Sequence, residues 1–330
     1  MIKTRFTDLM GIDHPVALAG MSGSTSPELV AAVSNAGGLG IYGASSDAPD
    51  VLARNVAAVR EKTERPFGLN VLLAFMDEEE IRAAVDAQPA VLSTAWPRDN
   101  QDLAAIFGMA HERGIKVLHM VPTANDAIKA AQAGADVIIA QGTDAGGHIG
   151  LIGTVVIVPQ VVRAVAPVPV LAAGGISDGH GLAAMLALGA EGVLVGTRFL
   201  ATAESPAHDS LKQAIVTSDG TDTIVTDIGD ILMGGEWPGA LARVSRNRLI
   251  ERWQGRANEV RRRREELLAD MFEARKQGNV QESILYWGQG AGLISEIVPA
   301  ARVIADMVTE AETIIAERLP GLVVREAPTR

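Results

Sequence analysis

Through the first two hundred residues, short runs of apolar residues alternate with longer amphipathic or alanine-rich stretches. HPVALAGM (residues 14–21) predicts a strand, and SPELVAAVSNAGG predicts the helix after it, with Ser26 as its cap and Pro27 in its first turn. LGIYGA predicts a second strand, and residues 47–63 its helix. FGLNVLL, AVLSTAW, KVLHMVP, ADVIIAQG, PVLAAGGI and EGVLVGTRFL supply six more strands, each followed by a helical pattern. Several helical stretches stop at glycine, at Gly37, Gly114, Gly134 and Gly189, where a left-handed cap fits. The strands are continuous apolar runs, the mark of a parallel sheet covered on both faces. Eight such units predict an α/β fold, a (β/α)8 TIM barrel. A doubly wound open sheet is the competitor, but such sheets seldom use eight units this even.

The pattern changes after about Pro206. From Val216 to Trp287 the chain turns polar and helical, centred on ERWQGRANEVRRRREELLADMFEARKQG. The expected division is therefore a barrel over residues 1–215 and 288–330, with 216–287 as a mainly helical insertion after the last barrel strand. Because barrel chemistry faces the C-terminal ends of the strands, that insertion is expected to cover the active-site face. The stretch ISEIVPAARVIADMVTEAETIIAERL has helical periodicity and is expected to pack back on the barrel.

Composition narrows the class. The chain of 330 residues is 48% hydrophobic and carries 29 Lys+Arg against 40 Asp+Glu, a net charge of −11. The acidic balance argues against nucleic-acid and anionic-membrane partners. Arg261 to Arg264 adjoin Glu265 and Glu266, which reads as a charge-paired, solvated helix face. There is no cysteine, which removes disulfides, thiolate catalysis, Cys-bound zinc and iron–sulfur clusters. With no signal-like start and no apolar run of membrane length, a soluble cytoplasmic protein is expected. Oligomeric state is not legible, and a homo-oligomer stays open.

Three segments follow predicted strands at the chemically useful end of a barrel. AAGGISDGHG (172–181) and VGTRF (195–199) combine glycines, a threonine and a helix start capped by Ser177–Asp178. Backbone amides there can meet an anion, and loops seven and eight of such barrels form its usual phosphate site. A single glycine pair would merely make a turn; two on successive strands point to a phosphate. AQGTDAGGHIG (140–150) sets Gly146, Gly147 and Gly150 around His148, a candidate general base or acid, or a loop histidine bonded locally. The other histidines are weaker candidates: His14 lies at the opposite end, His111 on an exposed helix, His119 inside a strand, His180 beyond the phosphate loop, and His208 beyond the last strand. No pair has zinc-ligand spacing, so no metal is expected. Asn70 and Gln141 are polar residues at the ends of apolar strands, suited to bonding a cofactor or satisfying the core. GGLGIYG runs from helix into strand, the reverse of a dinucleotide-binding turn, and is rejected as one.

Taken together, AQGTDAGGHIG, AAGGISDGHGLAAMLALGAEGVLVGTRF and HPVALAGMSG…SPELVAAVSNAGGLG resemble the nitronate monooxygenase (2-nitropropane dioxygenase-like) family across nearly the whole chain. GLN at Asn70 and GQGAGLI near Gln289 extend the likeness. The resemblance implies an FMN-dependent barrel enzyme. It assigns FMN binding to Asn70, Gln141, Gly146, Gly147, Gly174, Gly175, Gly196 and Thr197. Gly20 and Met21 would lie against the isoalloxazine, and Gln289 and Gly290 would border the pocket. His148 matches the family's catalytic histidine, and the implied reaction oxidises a nitroalkane or nitronate with O2 to a carbonyl compound and nitrite. Leu194 and Met120 depart from polar residues (glutamine and lysine) found in some relatives. FMN-dependent enoyl-[acyl carrier protein] reductases share the barrel and nearly the same histidine loop, and NADH:quinone reductases resemble the architecture; both draw electrons from NAD(P)H. Trp96 and Trp237 are expected near the pocket, as substrate contacts or as packing.

Overall fold

The computed structural model describes residues 1–45 and 47–323. Its first nine strands are β1 (Val16–Leu18), β2 (Gly40–Gly43), β3 (Phe67–Leu72), β4 (Val91–Ala95), β5 (Lys116–Val121), β6 (Val137–Gln141), β7 (Gly147–Ile149), β8 (Val170–Ala173) and β9 (Gly192–Val195). All but β7 form one parallel sheet in the order β1-β9-β8-β6-β5-β4-β3-β2. A parallel bridge between Ala17 and Leu39, the residue before β2, joins the two edge strands and closes the barrel. The expected (β/α)8 barrel is what the chain forms.

Local chemistry places the helices where the sequence predicts them. The Ser26 side chain accepts from the Leu29 N–H, and Pro27 opens helix Pro27–Asn35. Gly37, Gly114, Gly134 and Gly189 all take positive φ, as their turns out of a helix demand.

Alternation along each strand divides the core in two. Ile41, Leu118, Val137, Ile139, Leu171 and Leu194 point into the barrel and pack with Phe6 and Met10 of helix Arg5–Met10. Residues of opposite parity, such as Leu69, Val117 and Ile138, pack outward under the helices. The C-terminal helix Ala300–Thr313 joins this outer layer through Val303, Ile304, Met307 and Val308, against helices Gly179–Ala187 and Pro27–Asn35.

Beyond the barrel, the polar stretch after Val216 contains two strands as well as the expected helices. These are β10 (Thr223–Thr226) and β11 (Leu241–Ser245), and β7 completes an antiparallel sheet in the order β10-β11-β7. The strands escape a helical reading because each is only four or five residues long. In β11, buried Ala242 and Val244 alternate with Arg243, whose guanidinium donates to the Thr143 carbonyl at 2.9 Å. Helices Ile228–Met233, Arg248–Trp253, Ala257–Arg262 and Arg264–Lys276 gather around a second core containing Leu232, Val244, Ile250, Trp253 and Met271. Within the arginine run Arg263 pairs with Glu266 at 2.8 Å, whereas Arg264 donates to the Leu232 and Met233 carbonyls at 3.2 Å; Arg256, ahead of the run, pairs with Glu259 at 2.7 Å. No helix among the described residues is long and apolar enough to cross a membrane.

Candidate active site

At the C-terminal ends of the barrel strands lies a cavity of about 340 Å³, within the usual size of small-molecule and cofactor sites. Its floor is apolar. Met120, Ile139, Ala173 and Leu194 form it, and the same residues cap the barrel interior. The two departures at positions 120 and 194 thus place apolar side chains on this floor.

The candidate binding residues converge here from five strand ends. Gly20 and Met21 follow β1, Asn70 lies in β3, Gln141 ends β6, Gly174 and Gly175 follow β8, and Gly196 and Thr197 follow β9. Gly146, Gly147 and Gly290 complete the same wall. Gln289 is the exception: it is exposed, does not line the cavity, and is held by its backbone N–H to the Asp144 carbonyl at 2.9 Å.

Close packing explains two of the glycines. A Cβ on Gly20 would sit 2.2 Å from the Asn70 Cβ, and one on Gly146 would sit 2.4 Å from the Trp287 carbonyl carbon. The Asn70 side chain therefore crosses directly over the end of β1. Gln141 is buried, makes no side-chain hydrogen bond among the described residues, and leaves its Oε1 unpartnered at the cavity wall. An acceptor buried without a donor costs about 1–3 kcal/mol, which is the kind of deficit that a bound group's donor removes.

The expected phosphate end needs one correction. Asp178 caps helix Gly179–Ala187 as expected, but the first turn, where a further anion is expected, also holds the Glu310 carboxylate. The Gly179 N–H donates to Glu310 at 2.7 Å and the Gly181 N–H to Asp178 at 2.9 Å. Two acids there repel a further anion; the Gly174–Gly175 loop and the Gly196–Thr197 turn remain on the cavity wall. The Thr197 hydroxyl accepts from the Gly288 N–H at 2.9 Å, keeping its hydrogen for a ligand. Ser177 turns away, donating to the Gly290 carbonyl at 2.9 Å.

His148 sits in β7 opposite Ala242 of β11 and faces the cavity. Its Nε2 lies 2.7 Å from Asp230 Oδ1, with both side chains largely buried. The imidazole stacks on Trp237 with ring centroids 3.3 Å apart and 11° between planes. Trp237 in turn packs on Phe75 at 4.6 Å and meets Trp96 edge-on at 6.2 Å. Both tryptophans line the cavity, and Trp96 holds a left-handed backbone at φ 54°. Tyr286 also reaches the wall; burial first, and the Asp230 charge second, push its phenol up to about 12. Asp230 and Tyr286 have no counterpart in the motif reading. Asp230 lies 82 positions from His148, inside TDIGDIL, where nothing in the spacing marks it.

Four of the other histidines are occupied elsewhere, and His14, outside the cavity, keeps a buried Nδ1 with no partner among the described residues. His119 is sealed between Thr94, at 2.7 Å, and the Phe107 ring; burial pushes it down to about 4. His111 pairs with Asp136, His180 with Glu310, and His208 caps helix Asp209–Thr217. Asp178, His180 and Glu310 form a small surface cluster outside this cavity.

With this geometry in place, the relatives can be compared. A family model described as nitronate monooxygenase matches residues 3–94 and 78–310. The chain belongs to the nitronate monooxygenase family. A probable nitronate monooxygenase of Staphylococcus aureus (strain JH9) is 35% identical over 295 residues, covering 76% of this chain and 80% of the relative. FabK from Thermotoga maritima superposes with a TM-score of 0.88 at 37% identity, covering 98% of this chain and all of that one. Nitroalkane oxidase from Streptomyces ansochromogenes gives a TM-score of 0.80 at 28% identity, covering 96% and 99%. Membership of this family makes the protein an enzyme, a flavin-dependent oxidoreductase.

Proposed function

We propose that the protein binds FMN in this cavity and oxidises alkyl nitronates, or the nitroalkanes that form them, with O2 to a carbonyl compound and nitrite. The observation that carries the proposal is His148, whose unspent ring nitrogen stands in the same cavity as the unpartnered Gln141 amide and the glycine loops. Asn70 and Gln141 would hold the flavin ring by hydrogen bonds, with the backbone at Gly20, Met21, Gly146 and Gly147 against it. The Gly174–Gly175 and Gly196–Thr197 turns would take the phosphate, and Gly290 would close that end. Bound FMN supplies one-electron exchange with substrate and with O2.

The chain's own part is positioning and proton handling. The imidazole of His148 removes the α-proton of a nitroalkane, or orients a nitronate already formed. Trp237, Trp96 and Tyr286 enclose the substrate side and restrict water. The apolar floor at Met120 and Leu194 would present no charge to a bound flavin. The small substrate and O2 call for no nucleic-acid or membrane partner, and a cytoplasmic setting accords with this reading.

A second reading, reduction of an enoyl thioester with NAD(P)H, is favoured by the full-length likeness to FabK. The net charge of −11 weighs against docking an acidic carrier protein. Anaerobic mixing separates the two. Flavin bleaching by propyl-2-nitronate, with none by NAD(P)H, is expected; bleaching by NAD(P)H alone would overturn the nitronate reading. His148→Ala should keep flavin and lose nitroalkane turnover, whereas full turnover in that variant refutes the base assignment.

A further inference from the structure

We infer that Asp230 is the positioning residue that decides which nitrogen of His148 acts as the base. The inference rests on the proposed role of His148 and extends it to an acid contributed from outside the barrel. A carboxylate can only accept, so the 2.7 Å contact between Asp230 Oδ1 and His148 Nε2 requires the hydrogen on Nε2. In the neutral ring Nδ1 then carries the lone pair, and it makes no hydrogen bond among the described residues. The opposite tautomer would set a lone pair against a carboxylate at the same distance, which is repulsive.

The rest of the site holds the ring in this setting. The β7–β11 pairing of His148 with Ala242 places its backbone, Trp237 covers one ring face, and Asp230 grips one edge. Asp230 is itself anchored in helix Ile228–Met233, and its carbonyl accepts from the N–H groups of Gly234 and Gly235. That turn leads directly into the loop bearing Trp237. One short segment therefore supplies both the acid and the stacking ring, so the base is complete only when this segment is seated on β7.

The proton step balances without further reagents. The α-C–H bond of a nitroalkane breaks, the proton moves to Nδ1, and the electron pair passes into the nitro group to give the nitronate. The imidazolium so formed is paired with the Asp230 carboxylate, as in other aspartate–histidine couples. A preformed nitronate needs no such step, and this supplies a direct discriminator.

The test combines spectroscopy and kinetics. In 15N-labelled protein, the His148 ring, identified by its loss in His148→Gln, should show the Nε2–H tautomer. In Asp230→Asn the amide can donate to Nε2, so the Nδ1–H tautomer should appear. With that change, kcat/KM for a neutral nitroalkane should fall by roughly 10²–10⁴-fold, a larger loss than for preformed propyl-2-nitronate, which has no proton to give up. An Nδ1–H tautomer in the parent protein overturns the inference, and so does an equal loss on both substrates. The nitrogen spectra of the parent and of Asp230→Asn need no turnover, so they test the tautomer set by Asp230 even if the nitronate assays fail.

Discussion

Replacing Gln141 by methionine should make the flavin-free protein more stable and the flavin-loaded protein weaker in its grip. Gln141 is 7% exposed, with Oε1 buried and no partner for its side chain among the described residues. Its burial costs about 1–3 kcal/mol in the empty cavity. Methionine has nearly the same length and no polar atoms, so it recovers much of that cost without opening a void. At about 1.5 °C per kcal/mol for a chain of 330 residues, the melting temperature of the flavin-free protein should rise by about 1–4 °C. The hydrogen bond to flavin is lost in the same change. A net bond is worth about 0.5–1.5 kcal/mol, so the FMN dissociation constant should rise up to about tenfold. Thermal unfolding with and without FMN, together with fluorescence titration of the flavin, reads both effects in one protein. A variant that is less stable when empty and binds FMN as tightly as the parent would refute the assignment of Gln141 as an acceptor held for the cofactor.

Three further outcomes are expected. His119 binds its proton near 4 in the folded chain against 6.5 when free, because burial disfavours its charge. The unfolded chain therefore takes up the proton first as pH falls, so stability is unaffected above about pH 7 and declines through the window from 6.5 to 4, by up to about 3 kcal/mol; His119→Gln should flatten that slope in denaturant titrations, and an unchanged slope would reject the cause. Gly146→Ala would drive a Cβ to 2.4 Å from the Trp287 carbonyl carbon and 2.6 Å from the Gly288 nitrogen, backbone on both counts. It should cost about 1–3 kcal/mol and loosen the flavin, so a variant with the parent's melting curve would contradict the close approach. Trp237→Ala removes the stack on His148 and the contact with Phe75, which should lower stability by about 1–3 kcal/mol and shift preference toward bulkier nitronates; a kcat/KM ratio between short and long substrates equal to the parent's would deny Trp237 a place at the substrate.

The barrel was legible in the chain because its signals are local and repeat. Eight apolar runs, a serine cap with proline behind it, and glycines at helix ends each act within a few residues, and closing the barrel only required them to recur evenly. The glycine loops, Asn70, Gln141 and His148 were legible for a related reason: each lies near or just beyond the C-terminal end of a barrel strand, and in this fold every such end opens on the same face. Three things needed the folded chain. The helix after Asp178 looked free to bind an anion until Glu310, 131 positions away, was brought to its first amide. Strands β10 and β11 are too short to declare themselves and gain their hydrogen bonds only by pairing with each other and with β7. Asp230 reaches His148 across 82 residues. A carboxylate in a polar stretch carries no periodicity and fills no motif, so its partner is set by the docking of one element on another. Sequence determined where the cavity would be and which groups would line the barrel side of it; tertiary structure alone decided what holds the imidazole in place.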